Sequence, residues 1–500
     1  MQTPESQITP ARSTRTDAPA ASFVRVLTML FLFCAAAVYE AVHLSSLSDT
    51  DVWWHLSTGL WILQNHGVPH SGISSQYSNL PWIASSWTYD LLLATAYKLL
   101  GLRAIPMTLM LFKVALAASA FLLARGRSRN FPLAVLLTVA AQCAIPLRPL
   151  PNLCSIVCFA VELALLFQSL RTGNVRILYW LPLLFVLWVN LHIQFVYGLI
   201  ALALFLAATL AEDISRRSGS TWCDSQLPLL PLGAVAAVTV FSFVATLLSP
   251  YGYHIYEVVI RNATPVPYIA DEHAMNFRQP QHYVLLLLAM SAFLALGRRR
   301  SRDPFKLALM IVASMVAFRI QGDAGFLAMA SVAVIADAFF MGEIGAVPVS
   351  PERRVKWEMP ATMVLLAVVF VAAACRIPSR QTLLNRIGES LPVRAADYIR
   401  ENRLPNPLFN EYGWGGFLTF YLPNYPVVID GRTDLYGDEI ISRYFKVTRA
   451  EVPLNTEPAF AGAQTILLPA NSAMAIGLAK FSDFKAVYSD NVATVLVRQN

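Results

Sequence analysis

Long, nearly uninterrupted apolar runs dominate this chain. They lie at 22–43, 104–124, 131–147, 153–170, 177–190, 192–212, 227–248, 282–297, 305–319, 324–342 and 360–375, with most of the charge in the segments between them. A helix needs roughly 20 apolar residues to cross about 30 Å of hydrocarbon. The pattern therefore predicts about 11 spans. A further segment, Trp82–Leu100, is apolar but holds Asp90 and Lys98.

The charges between the runs predict sidedness. Arg125–Arg129, Arg171–Arg176, Arg216-Arg217, Arg298–Arg302 and Arg353–Lys356 alternate with loops that are not net basic. Lys and Arg accumulate on the cytoplasmic side of membrane proteins, which puts the N-terminus inside and the C-terminal end outside. The register holds only if 82–124 crosses once, so 83–100 is expected to be an interfacial or re-entrant helix and 104–124 the span. The outside face then collects the unusual polar segments: loop 44–82, Arg148–Asn152, Asn190–Gln194, loop 249–281 and Arg319–Asp323. Irregular polar backbone at membrane depth is tolerated where it lines a wet or protein-covered cavity, so these segments are expected to share one site.

Beyond about Arg376 the period changes. Ala395–Asn402 reads as a helix, Pro426–Ile429 and Thr465–Leu468 as short buried strands, and Lys485–Tyr488 with Ala493–Val497 as a hairpin around Asp490-Asn491. The expected organisation is a disordered tail (1–20), a membrane domain (21–375) and a soluble α/β domain (376–500). In fold class this is a mainly α, polytopic membrane helical bundle carrying a small C-terminal α/β domain.

Composition agrees: 56% of residues are hydrophobic and only 14% charged, against roughly a quarter charged in soluble domains. The net charge of +7 comes from clusters between apolar runs and does not indicate nucleic acid. Six cysteines without a CxxC pair indicate neither a disulfide framework nor a thiolate zinc site.

The most informative stretch is Asp49-Thr50-Asp51-Val52-Trp53-Trp54-His55-Leu56, just past the first apolar run. A carboxylate at that depth suits a general base or a cation ligand. It equally suits an N-cap, with Asp51 starting an amphipathic helix. Arg148 at a Pro-broken helix end suits either a lipid phosphate or a snorkelling structural role. Asn190 and His192 mark either a site or a helix–helix hydrogen bond, and His55 joins them as an outside imidazole. In loop 249–281, Tyr251, His254, Asp271 and Glu272 suit sugar binding or an interfacial girdle. Lys113, inside a run, has Asp90 as its candidate partner. Asp430-Gly431-Arg432-Thr433-Asp434 reads as an internal Asp–Arg turn or a ligand-binding strand end.

An Asp-x-Asp directly after the first span resembles the GT-C superfamily of membrane glycosyltransferases, which includes protein O-mannosyltransferases and the lipid A aminoarabinose transferase. The Asp49–Leu56 motif, the Asn190-x-His192 element, Ser249-Pro250-Tyr251-Gly252 and Ile429–Gly437 resemble a bacterial membrane-protein family of that superfamily. The resemblance implies a GT-C-like bundle that moves a sugar, with inversion, from a polyprenyl-phosphate donor to an extracytoplasmic lipid, glycan or protein. It implies Asp51 as base with Asp49 as its partner, Arg148 on the donor phosphate, and His55, Asn190, His192, Tyr251, His254, Asp271 and Glu272 on substrate. A divalent cation is a candidate cofactor, and a bacterial plasma membrane is the implied location. The alternative is a non-catalytic protein on the same scaffold, serving surface polysaccharide binding or assembly.

Overall fold

A computed structural model describes residues 17–128, 130–219, 229–264, 267–269, 272–343, 357–481 and 483–499. The expected disordered tail lies almost wholly outside the described residues, as does the basic stretch at 353–356. Each of the apolar runs carries a helix. The helices are α1 (Asp17–His43), α2 (Val52–Asn65), α3 (Trp87–Leu100), α4 (Ala104–Ser128), α5 (Phe131–Ala144), α6 (Asn152–Thr172), α7 (Leu181–Leu191), α8 (Phe195–Arg217), α9 (Leu232–Ala245), α10 (Ile255–Arg261), α11 (Pro280–Arg298), α12 (Pro304–Arg319), α13 (Ala324–Glu343) and α14 (Glu358–Arg376).

Local chemistry sets several boundaries. The Asn130 side chain accepts the Leu133 N–H at 3.1 Å and starts α5; Asp303 accepts that of Lys306 at 3.2 Å and starts α12. Pro132 and Pro304 sit in the first turns, where a missing N–H costs nothing. Gly173, with φ +65°, stops α6 in the left-handed conformation.

Among the described residues, seven helical stretches are long and apolar enough to cross a membrane. Their outward faces carry large apolar side chains such as Phe31 (75% exposed) and Leu294 (71%), which lipid rather than water must cover. The most enclosed is Gln321–Phe339, the start of α13, 89% buried against 17% for α14. Its buried face holds Ala324, Ala328, Ser331 and Ala336, small residues that let neighbouring helices approach closely.

Helix α3 has 14 residues, about 21 Å at 1.5 Å per residue, short of the hydrocarbon thickness. It breaks from α4 at Gly101 (φ +61°). Its far end touches the C-terminal unit: Arg103 Nε donates to the Pro378 carbonyl at 3.2 Å, and the Tyr97 and Phe420 rings lie 5.5 Å apart. It runs between the bundle and that unit.

The C-terminal part contains α15 (Arg380–Ile387), α16 (Val393–Glu401), β1 (Leu408–Asn410), α17 (Tyr412–Tyr421), α18 (Thr433–Thr448), α19 (Pro458–Ala461), β2 (Thr465–Pro469), α20 (Ala473–Phe481), β3 (Phe484–Ser489) and β4 (Ala493–Arg498). The sheet order is β1-β2-β4-β3, with β1 parallel to β2 and the rest antiparallel. Asp490 turns the expected hairpin, its Oδ1 accepting the N–H groups of Val492 and Ala493 at 2.8 Å each. Pro426–Ile429, expected as a strand, is not one. It is a buried connection that makes a single bridge, Val427 to Ser75, and its Val428 N–H donates to the Asn410 side chain at 2.8 Å. Its partners are a loop and a side chain, so no ladder forms.

The C-terminal unit and the first loop share one apolar core. Trp53 on α2, wholly buried, packs against Phe417 and Phe420 of α17, each with centroids 5.4 Å away. Burying such a side chain contributes roughly 3 kcal/mol by area, so the two parts are welded.

Candidate functional site

The chain leaves α1 through Leu44, in the left-handed region at φ 55°, and makes a short turn into the acidic motif. Asp49 Oδ1 accepts the N–H groups of Asp51 (3.0 Å) and Val52 (3.2 Å). Asp49 therefore supplies the capping carboxylate of α2; the Asp51 side chain makes no capping hydrogen bond. Arg148 Nε donates to Asp49 Oδ2 at 2.6 Å, and its Nη2 donates to Asp51 Oδ2 at 3.0 Å. One guanidinium thus bridges both acids. Asp49 is 6% exposed and Asp51 27%, so Asp51 is the accessible carboxylate.

Arg148 is presented by Ile145–Pro151, a connection with three prolines between α5 and α6. Tyr89 on α3 donates to the Pro149 carbonyl and anchors it.

These groups face a cavity of about 380 Å³. Asp51, His55, Arg148, His192 and Glu272, all singled out in the sequence, line it together. So do Asn152, Gln194, Gln321 and Asp323, from the polar segments expected to share one site, and Asp90, Tyr197, Tyr412, Gly431 and Asp434. Asp323 had a signal, a carboxylate in a polar break between apolar helices. Its oxygens accept from Gln194 Nε2 (2.6 Å) and the Tyr197 hydroxyl (2.5 Å).

Other expected residues lie elsewhere. The Asn190 amide donates to the Val186 and Leu248 carbonyls at 2.8 and 3.0 Å and accepts from Trp87 Nε1 at 2.9 Å; it staples helices and does not line the cavity. The buried Tyr251 hydroxyl donates to the Pro69 carbonyl at 2.8 Å and accepts the Ala84 N–H at 3.2 Å, bracing the first loop. His254 is half exposed, beside Glu257 at 2.6 Å, and also lies outside the lining. Asp271 falls outside the described residues. Lys113 pairs with Glu40 at 3.1 Å rather than with Asp90, because Asp90 Oδ1 lies 2.5 Å from His55 Nδ1.

Burial lowers the His55 imidazole to about 3, against the opposing pull of Asp51 and Asp49. Burial, helped by His55, lowers His192 to about 3 as well, and its Nδ1 lies 3.0 Å from Ser155 Oγ. Both rings are neutral near pH 7. Burial raises Asp434 to about 6, although Trp82 Nε1 donates to it at 3.2 Å. Burial, followed by the charges of Asp51, Asp430 and Glu272, raises the Tyr412 phenol. The described residues include no group of three or more His, Cys, Asp or Glu arranged to hold a metal ion. Arg148 bridges the two acids that the candidate divalent cation would use.

The first loop presents an accessible carboxylate to the cavity, and the C-terminal α/β unit supplies part of its wall. The chain is an integral membrane protein, and it shares its fold with solved structures of an archaeal oligosaccharyltransferase. It is similar to the oligosaccharyltransferase of Archaeoglobus fulgidus tethered with an acceptor peptide containing the NVT sequon, with a TM-score of 0.54 at 12% identity over 97% of this chain and 74% of that one. It is similar to AglB of the same organism in complex with an inhibitory peptide and a dolichol-phosphate, with a TM-score of 0.53 at 11% identity over 91% and 70%. ArnT from Cupriavidus metallidurans bound to undecaprenyl phosphate aligns over 97% and 98% at 12% identity, with a TM-score of 0.47. No family model matches the sequence, and no curated protein matches it.

Proposed function

We propose that this protein is a glycosyltransferase that moves a sugar from a polyprenyl-phosphate carrier to an acceptor outside the cytoplasm, with Asp51 as general base. The observation that carries this reading is the Asp51 carboxylate, oriented by Arg148 and open to a cavity at one end of the apolar bundle. In the reaction the acceptor oxygen attacks the anomeric carbon as its proton passes to Asp51. The bond from that carbon to the phosphate oxygen breaks, the configuration inverts, and the phosphate leaves on its lipid.

Asp49 holds the start of α2, and Arg148 holds Asp51 in one orientation. A donor phosphate beside Arg148 would share the guanidinium with Asp51, which keeps its seat as substrate binds. Residues of α6, α8, α11 and α13 line the cavity, which suits a donor arriving from the bilayer. The dolichol-phosphate and peptide held by the structurally similar AglB support a lipid-linked donor and an extracytoplasmic acceptor here. The basic clusters between the apolar runs support a cytoplasmic N-terminus and an outside cavity.

The test is transfer from labelled polyprenyl-phosphate sugars by the purified protein in lipid vesicles. Native protein is expected to transfer, and Asp51→Asn to lose transfer while inserting and melting normally. An Asp51→Asn variant that transfers at the native rate ends this reading.

A further inference from the structure

The run Ile429-Asp430-Gly431-Arg432 has no part in the reaction as written, yet its glycine lies against the proposed base. A Cβ built on Gly431 would stand 2.0 Å from Oδ1 of Asp51, 3.0 Å from its Cγ and 3.0 Å from Nε1 of Trp54. The geometry points to Gly431 as the positioning residue for Asp51: its bare Cα, supplied by the C-terminal unit, forms one side of a seat whose other side is Arg148. The catalytic consequence rests on the function proposed above; the seat itself does not.

The two sides hold different oxygens. Arg148 binds Oδ2 at 3.0 Å, and Gly431 faces Oδ1. A turn of the carboxylate would alter both contacts.

Gly431 is itself fixed. On one side of it the Asp430 carboxylate, wholly buried, accepts from Arg432 Nε at 2.9 Å and Nη2 at 2.6 Å and from the Tyr436 hydroxyl at 3.1 Å. The Arg432 guanidinium lies over the Trp82 ring at 4.9 Å, and its Nη1 donates to the Ile73 carbonyl at 2.9 Å. Both contacts are to the first loop, so the turn is clasped to the segment that carries Asp51. Helix α17 completes the frame with two adjacent glycines. A Cβ at Gly415 would meet the Ile429 carbonyl at 1.9 Å, and one at Gly416 the Thr50 carbonyl at 2.4 Å. One helix therefore rests on the backbone beside Asp51 and beside Gly431.

The atoms a methyl group at 431 would meet belong to side chains, chiefly the end of the short Asp51 side chain and, at 3.0 Å, the Trp54 indole, not to backbone. Asp51 yields by turning about χ1, which sacrifices the Arg148 contact and leaves the fold standing. A misplacement on the order of 1 Å at a reacting group costs about 10²-fold in rate.

Two experiments decide the matter. In native membranes, the Asp51→Cys, Gly431→Cys double variant is exposed to a mild oxidant and the linked peptides are identified by mass spectrometry. A thiol sulfur at 51 would sit near the Asp51 Cγ position, 3.0 Å from the Cβ at 431, and a disulfide with an S–S bond of about 2.05 Å needs about that separation. The crosslink is expected, and none is expected for Asp51→Cys with Gly477→Cys. In vesicles with labelled polyprenyl-phosphate sugars, Gly431→Ala is expected to lose roughly 10²-fold in kcat, with KM within about twofold and the melting temperature unchanged. Gly477→Ala, whose added Cβ meets nothing within 4 Å, keeps the native rate. A folded double variant that does not crosslink, or a Gly431→Ala protein with native kcat, overturns the proposal. So does a loss of rate and melting temperature together, which would make Gly431 merely structural. If native protein transfers nothing, the proposed function fails, and the crosslink alone decides whether the seat exists.

Discussion

Among the described residues one cation joins two carboxylates at Arg148, at Lys306 and at Arg443, and the first two of these clusters serve different ends. In the first, Arg148 bridges Asp49 and Asp51 at 2.6 and 3.0 Å. In the second, Lys306 bridges Asp303 and Asp337 at 2.8 and 2.9 Å. The parallel extends to a cap: Asp49 starts α2 as Asp303 starts α12. What differs is access. Arg148 and Asp51 are 31% and 27% exposed and line the cavity, whereas Lys306, Asp303 and Asp337 are 8%, 6% and 7% exposed and take no part in it. Lys306 sits near the end of α12 away from the cavity, and Asp337 far along α13. A sealed cluster can only hold helices together; an open one can hold them and also meet a substrate. Residue types alone do not separate strut from site.

The sharpest way to break the comparison is to neutralise one acid in each cluster. Asp51→Asn is expected to reduce transfer about 10³-fold, near 4 kcal/mol of barrier, with little change in melting temperature. Asp337→Asn should do the reverse, lowering the melting temperature in detergent while the surviving folded fraction transfers at the native rate. Removing the cations sharpens it further. Lys306→Met leaves two buried carboxylates without their cation and is expected to destabilise by about 3–5 kcal/mol in denaturant titration. Arg148→Met, at a partly solvated site, should cost about 1 kcal/mol of stability but most of the transfer rate.

A smaller effect concerns pH. His55 and His192 are held at about 3 by burial, below their ordinary 6.5. The unfolded chain therefore takes up protons at these rings between pH 6.5 and 3 that the folded protein does not. Stability is full above 6.5 and falls as pH drops through that window. His192→Gln should flatten part of this fall in melts at stepped pH; an unchanged slope would mean that the ring is charged when folded. The smallest effect is expected at His254, paired with Glu257 on the surface. His254→Ala should change stability by less than about 0.5 kcal/mol and leave transfer intact.

Much of the fold was legible because its signals are local. Apolar runs of spanning length and the Asp490 turn are each carried by residues next to one another in the chain. The site was legible in part. Asp51, Arg148, His192 and Glu272 stood out as polar residues where apolar helices end. Asn190 and Tyr251 stood out for the same reason but spend their hydrogen bonds on neighbouring backbone.

The sequence by itself determined that the chain is built into a membrane, that each long apolar run carries a helix, and that an acidic loop follows the first of them. Only the tertiary structure decided the pairings: Lys113 with Glu40, Asp90 with His55, and a glycine of the C-terminal unit against Asp51. The reason is physical. Helices apolar on most faces carry little periodic information about which neighbour they meet. Contacts between distant segments are settled by packing, and packing is a property of the assembled bundle.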